Sequence, residues 1–376
     1  MTATLGEVAD FINGFAFKPE DWEETGLPII RIQNLTDASK PINRTTHKVP
    51  DKFRVRKGEL LVSWSATLGV FTWDRTDEAL VNQHIFRVVP SDKIDTSFLR
   101  HMLSGALEAM QRHLHGATMQ HVNRGEFLST EIPLPTLPEQ RRIAAILDHA
   151  DALRAKRRQL LVHLDSLTQS IFNDMFKGTD AIATVGDVAQ IQGGLQVSSK
   201  RAGLPIEVPY LRVANVHRGR LDLSEVKTLH ATPAEIGRTT LDAGDLLFVE
   251  GHANPLEIGR VAVWSGTILG CVHQNHLIRA RLNPSQMLPI FASAWLNSER
   301  GAAHFRRAGK TTSGLNTISA STVRSAPLLC PPMVLQHKFA TRAGSIDSLR
   351  SSVKRTLAAD DELFASLQSR AFHGEV

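Results

Sequence analysis

Short apolar runs separated by turn residues open the chain. "LPIIRIQNL" (27–35), "GELLVSW" (58–64), "GVFTW" (69–73) and "HIFRVV" (84–89) have the length and the β-branched or aromatic content of strands. A helix is predicted over about 96–114, and then the period changes. The stretch "PTLPEQRRIAAILDHADALRAKRRQLLVHLDSLTQSIFNDMF" (135–176) has prolines before it and Gly178 after it, as helix boundaries do. Within it Ile143, Ile146, Ala150, Leu153, Leu160, Leu164, Leu167 and Ile171 form a seven-residue apolar stripe interrupted by Arg157. Such a stripe predicts a long helix that needs a partner. At 1.5 Å per residue, residues 139–176 would span about 57 Å.

The partner is written in the same chain, because the pattern occurs twice. "TLGEVADFING" (4–14) returns as "TVGDVAQIQGG" (184–194), and "LPIIRIQNL" as "VPYLRVANV" (208–216). "KGELLVSW" (57–64) matches "AGDLLFVE" (243–250), and "VNQHIFRV" (81–88) matches "HQNHLIRA" (273–280). "GATMQHVN" (116–123) matches "GKTTSGLN" (309–316), and "SLTQSIFNDMFKG" (166–178) matches "ELFASLQSRAFHG" (362–374). The offset grows steadily from 180 to 196, as insertions accumulating in the second copy would make it. The counterpart of the 96–114 helix is expected at about 285–307. Phe339, Ile346, Leu349, Val353, Leu363 and Leu367 mark the second stripe. A two-fold-like arrangement sets the two long helices, expected at 139–177 and 335–372, antiparallel and packed on each other.

Composition narrows the class. The chain has 376 residues, 42% of them apolar, which suffices for two ordinary domains with real cores. A net charge of +5 and a pI near 9.4 permit nucleic-acid binding without demanding it. Two cysteines, Cys271 and Cys330, make neither a disulfide framework nor a zinc cluster and fit a reducing cytoplasm. No signal peptide or membrane span is expected. "GKT" (309–311) ends like a phosphate-binding P-loop, but His304 stands where the motif needs its first glycine. The repeat removes that reading, since Lys310 corresponds to Ala117. Both copies instead keep Gly116/Gly309, Thr118/Thr311 and Asn123/Asn316.

The opening "LGEVADFINGFAF", "GELLVSWSATLG" followed by "NQHIFRV", "IPLPTLPEQRRIAAIL", and the "SLTQSIFNDMF" helix end, all repeated in degenerate form, resemble the DNA specificity subunit of type I restriction–modification systems. The resemblance covers essentially the whole chain. In the second copy, "APLLCPPMVLQHKFATRA" keeps the prolines and Gln336 but has Leu335 in place of Glu139. The resemblance implies an α+β fold: two similar mixed α/β target-recognition domains joined by two long antiparallel coiled-coil helices, a pseudo-two-fold internal repeat. The segments would be a first recognition domain (1–135), a central spacer helix (136–178), a second recognition domain (179–330) and a final spacer helix (331–376). It implies a cytoplasmic, non-catalytic subunit without a cofactor of its own. Each recognition domain reads one half of a split target in double-stranded DNA. Two methyltransferase subunits carrying S-adenosylmethionine dock on it, and an ATP-driven restriction and motor subunit joins for cleavage.

The residues agree with a non-catalytic role. No N-P-P-[YF] methyltransferase motif and no G-x-S-x-G elbow occur. His113, His115 and His121 have no paired counterpart in the second copy, which speaks against a metal site. A self-contained DNA-modifying enzyme with fused recognition domains is the alternative, but two domains and two helices leave no residues for a catalytic module. A coiled-coil adaptor without DNA function leaves the two polar-loop domains unexplained.

Candidate DNA contacts are polar residues at matching positions. Ser63, Ser65 and Thr67 follow an apolar strand, and the second copy offers His252 and Asn254; ordinary turn chemistry is the other role for such residues. Gln83, His84, Asn275 and His276 are suited to base edges, with a hydrogen-bonded structural role open for the histidines. Arg31 and Arg212 can reach guanine or phosphate, or cap a sheet. The repeated loops add Thr118, Gln120 and Asn123, and Lys310, Thr311, Thr312, Ser313 and Asn316. In them Lys310 would add a phosphate contact, and the two asparagines could instead cap the next segment of chain.

Overall fold

Residues 1–113, 123–179, 182–312 and 315–375 are described by a computed structural model. Ala9–Asn13, Ile85–Pro90, Leu60–Ser63 and Gly69–Thr72 form a four-stranded antiparallel sheet in that order. The run "LLV" is apolar without alternation because both faces of its sheet are covered. Leu60 and Val62 pack with Phe98, Met102 and Leu103 of the helix Thr96–His113, while Leu61 joins Ile30, Val55 and Val81 of a second sheet. That second sheet has the order Asn43–Thr45, Leu27–Ile30, Ala79–Val81, Arg54–Val55.

The second half of the chain uses the same order. Ala189–Gly193, Leu277–Leu282, Leu246–Val249 and Val261–Val263 make the four-stranded sheet. One face carries Leu246 and Phe248 against Phe291, Trp295 and Phe305; the other carries Leu247 and Val249 against Leu211, Trp264 and Cys271. Here the structure corrects the single helix expected over 285–307. Two helices occur, Pro289–Asn297 and Glu299–Ala308. Asn297 turns to the sheet edge, donating to the Val261 carbonyl at 2.8 Å and accepting the Val261 N–H at 3.2 Å. Ser298 then leaves helical geometry and caps the second helix by accepting the Gly301 N–H. Gly301 is required there, because a Cβ would lie 2.3 Å from the Trp295 carbonyl oxygen.

The two long helices are Leu137–Met175 and Met333–Phe372, 39 and 40 residues. The chain divides into two compact units, Met1–Arg158 with Lys354–Val376, and Gln159–Val353. This division runs across the four segments expected from the sequence, because each half of each helix packs on its own sheets. Ile143, Leu147 and Ala371 belong to the core of the first unit, and Phe172, Phe176 and Phe339 to that of the second. Pairing is antiparallel within each unit. Ile143 and Leu147 share a cluster with Ala371 while Arg154 meets Asp361; in the other unit Leu164 packs with Ile346 and Val353 while Phe172 meets Phe339.

The buried stripe is not the one the sequence suggests. Ile143, Leu164 and Ile171 face inward, with Leu147 and Leu161 between them. Ile146, Leu153, Leu160 and Leu167 are 37%, 37%, 41% and 42% exposed, against 3% for Leu164. The inward rows in the middle of the helix are Arg154 and Arg157, which meet Asp361 and Asp360. Counting only apolar residues rejects those arginines and shifts the stripe by one position. On the second helix Leu349 and Leu363 are likewise exposed.

Candidate nucleic-acid interface

In the second unit two sequence-distant candidate segments come together. Gly251–His252 pairs with Leu315–Thr317, which pairs with Lys310–Thr312. Of the segment expected to be a loop, Lys310–Thr312 and Leu315–Thr317 are instead paired antiparallel strands, with Thr311 opposite Asn316. Lys310 follows the C-terminal end of Glu299–Ala308, where helix carbonyls would repel a phosphate. The Asn316 amide donates to the Ala253 carbonyl at 3.3 Å, so this asparagine bridges to the neighbouring loop. The next helix, Ala320–Arg324, is capped by Ser319. Asn254 caps the short turn after it by accepting the Leu256 N–H at 2.9 Å, and its own N–H donates to His252 Nδ1 at 3.0 Å.

The Asn275–His276 turn joins this group. The Glu250 N–H donates to the His276 carbonyl at 3.0 Å, and the Ile318 N–H donates to the Glu250 carbonyl at 2.8 Å. His276 Nδ1 lies 3.0 Å from Glu250 Oε2. His252, Asn254, Asn275, His276 and Asn316 thus gather around one strand end, with the Lys310–Thr312 strand alongside. Arg212 does not join them. Its N–H donates to Asn215 Oδ1 at 2.9 Å, and its guanidinium pairs with Glu225 at 2.5 Å.

The first unit is built alike but engages its candidates differently. The Trp64 N–H donates to the His84 carbonyl, matching Glu250 and His276. His84 packs edge-on against Trp64 at 5.5 Å, and Gln83 Nε2 is 3.2 Å from His84 Nε2, leaving Gln83 exposed. Ser63 is fully buried and its hydroxyl donates to the Thr67 carbonyl at 2.5 Å; Ser65 is buried too. Of their two roles, the turn is the one their burial permits, and only Thr67 of the three is exposed. Asn123 caps Arg124–Leu128, accepting the Gly125 N–H at 2.9 Å. The Arg31 guanidinium lies 5.2 Å from the Trp22 ring centre, and the Arg31 backbone N–H donates to Asn34 Oδ1 at 3.1 Å. Thr118, Gln120 and Ser313 lie outside the described residues, and the His113–His115–His121 stretch falls outside those whose side chains are described. Among the described residues no group of three or more His, Cys, Asp or Glu could hold a metal ion, and no helix is long and apolar enough to cross a membrane.

Residues 1–162 match the family described as the type I restriction modification DNA specificity domain. Over 99% of its length the chain is 24% identical to the EcoBI specificity subunit of Escherichia coli, covering 85% of that protein. Over its whole length it is 23% identical to the EcoKI specificity subunit of Escherichia coli strain K12, covering 88% of it. Residues 1–162 thus carry that family's domain, and the whole chain is similar to type I restriction–modification specificity subunits. The fold agrees. The S subunit from M. genitalium superposes with a TM-score of 0.57 at 15% identity, over 99% of this chain and 96% of that one. A chain from a study of complex assembly and conformational transition of the type I R-M system gives 0.59 at 17%, over 100% and 98%.

Two buried glutamines hold this fold together. Gln140, fully buried, accepts the Asp95 N–H at 2.7 Å and donates to the Lys93 and Pro135 carbonyls at 3.1 and 2.9 Å. Gln336, also fully buried, accepts the Leu288 N–H at 2.9 Å and donates to the Gln286 and Pro331 carbonyls at 3.1 and 2.9 Å. Each glutamine locks the start of a long helix to the segment leading into its unit's shorter helix. Their common offset of 196 was the available signal; Glu139 beside Gln140 is half-buried and pairs with Arg142. Glu250 was missed because its counterpart is Trp64, so the repeat did not point to it.

Proposed function

We propose that this chain is the non-catalytic DNA-reading member of its complex. Each unit would recognise one half of a split target in double-stranded DNA, with the long helices setting the spacing in a pseudo-two-fold repeat. The observation that carries this reading is the duplicated frame, with the same four-strand order and the same glutamine lock in both units. The loop regions mounted on that frame differ between units, Trp64 and His84 in one and Glu250 and His276 in the other. A common frame with different polar ends suits two readers of different sequences.

The exposed aliphatic residues suit partner docking. Ile146, Leu153 and Leu363 in the first unit, and Leu160, Leu167 and Leu349 in the second, leave apolar side chains open on the long helices of each unit. That fits one methyltransferase subunit per unit, two in all. S-adenosylmethionine would be held there, and ATP by the restriction and motor subunits, in the cytoplasm. The test is to exchange residues 184–325 for those of another specificity subunit and sequence the methylated DNA of cells carrying the whole system. One half of the motif should change, with the other half and the spacing intact; change in both halves or in neither would overturn the reading.

A further inference from the structure

We propose that Glu250, held by His276, selects a cytosine in the half-target read by the second unit. The inference rests on the DNA-reading role proposed above. Glu250 stands where the strand Leu246–Val249 passes into Gly251–His252. Its backbone is pinned on both sides, by the bond to the His276 carbonyl and the bond from Ile318. Its carboxylate is about two-thirds covered, and one oxygen, Oε2, faces His276 Nδ1 at 3.0 Å. The imidazole therefore places its proton on Nδ1 and donates it to the carboxylate. Among the described residues Oε1 makes no hydrogen bond.

A carboxylate near DNA phosphates is repelled, so one belongs in such a surface only where an amino group answers it. In the major groove cytosine and adenine present amino groups, and guanine and thymine present acceptors and the thymine methyl. Beside its amino group adenine places N7, an acceptor that repels the second carboxylate oxygen; cytosine places none of its own there. An ionised glutamate whose orientation is fixed therefore prefers cytosine N4. The first unit has Trp64 at the matching position and cannot make this choice, so the two units discriminate differently at this point.

The decisive substitution is Glu250→Gln, which keeps the shape and turns an acceptor into a donor–acceptor pair suited to adenine N6 and N7. Cells carrying the whole system with either chain are compared by sequencing methylated DNA, and exchange of 184–325 marks the half-target of the second unit. The wild-type half-target contains a cytosine position on one strand. In Glu250→Gln that position shifts toward adenine by about tenfold or more, while the other half is unchanged. If the variant does not methylate, DNA selected from a random library by the purified complex reads the same position. A half-target without any C·G pair, an unchanged preference, or a lowered melting temperature with preference lost at every position overturns the proposal. A wild-type motif that is not split sinks the DNA-reading role instead. His276→Gln should weaken the cytosine preference without changing the preferred base.

Discussion

The Arg154 guanidinium donates to the Asp361 carboxylate at 2.6 Å, joining the two long helices in the first unit. Arg350 meets Asp165 at 3.0 Å in the second, and both residues are offset by 196 from the first pair. Arg154 also lies over the Phe364 ring, 4.2 Å from its centre, so its stem packs while its charge is answered. Polar pairs at inward positions fix which rows of two helices face each other. Arg154 holds the Asp361 carboxyl below its ordinary range. A lowered carboxyl pKa contributes stability above the unfolded value and loses it as pH falls through the folded one. Arg154→Ala should therefore lower the melting temperature at pH 7 and narrow its drop on acidification. Exchanging the charges, Arg154→Asp with Asp361→Arg, should recover part of the loss in thermal melts.

Gln140 and Gln336 should be among the costliest polar positions. Gln140→Ala leaves the Asp95 N–H and two carbonyls without their partner in a fully buried place. A loss of about 2–4 kcal/mol is expected from unsatisfied groups of this kind. Hydrogen exchange checks it locally. Protection should fall in the first unit for Gln140→Ala and in the second for Gln336→Ala.

The helix register makes a contrast test. Phe339 is buried among Phe172, Phe176 and Phe291, so Phe339→Ala should cost about 3–5 kcal/mol. Leu160 belongs to the stripe expected from sequence yet is 41% exposed. Leu160→Ala should change the stability of the isolated chain by no more than about 0.5 kcal/mol in denaturant unfolding. It should weaken methyltransferase binding in a pull-down, since its apolar surface is open to a partner.

His273 supplies a pH dependence. It is fully buried, its ring nitrogens facing the Thr239 and Gln192 carbonyls at 3.1 and 3.4 Å. Burial pushes its pKa down to about 4. The unfolded imidazole binds a proton near pH 6.5, while the folded one does not until about pH 4. Stability should thus fall as pH drops from 6.5 to 4 and level below that, by on the order of 3 kcal/mol. His273→Gln should flatten that limb of the melting curve.

Much of the fold was readable without coordinates because its signals are local or repeated. Alternation and continuity of apolar runs identify strands, prolines and glycines bound the long helices, and a steady offset reveals two copies of one design. Gln140 and Gln336 share the offset of 196, but no local pattern shows the buried backbone groups they hold. The candidate site was legible only in part. Asn275, His276, His252 and Asn316 do converge, whereas Ser63 and Ser65 turn inward.

By itself the sequence determined the chain's α+β content and its likeness to the specificity subunits, both of which depend on residue order and composition. Tertiary structure alone decided three further things. The helices face each other through Arg154 and Arg157 and leave Leu153 and Leu160 outside, because a half-buried arginine is acceptable once Asp361 and Asp360 stand opposite it. Leu315–Thr317 joins Lys310–Thr312 to Gly251–His252, some 60 residues earlier, in one three-stranded sheet. Glu250 met His276 across 26 residues. Pairings of that range are set by which backbone groups the folded sheets leave side by side, and no local pattern carries that information.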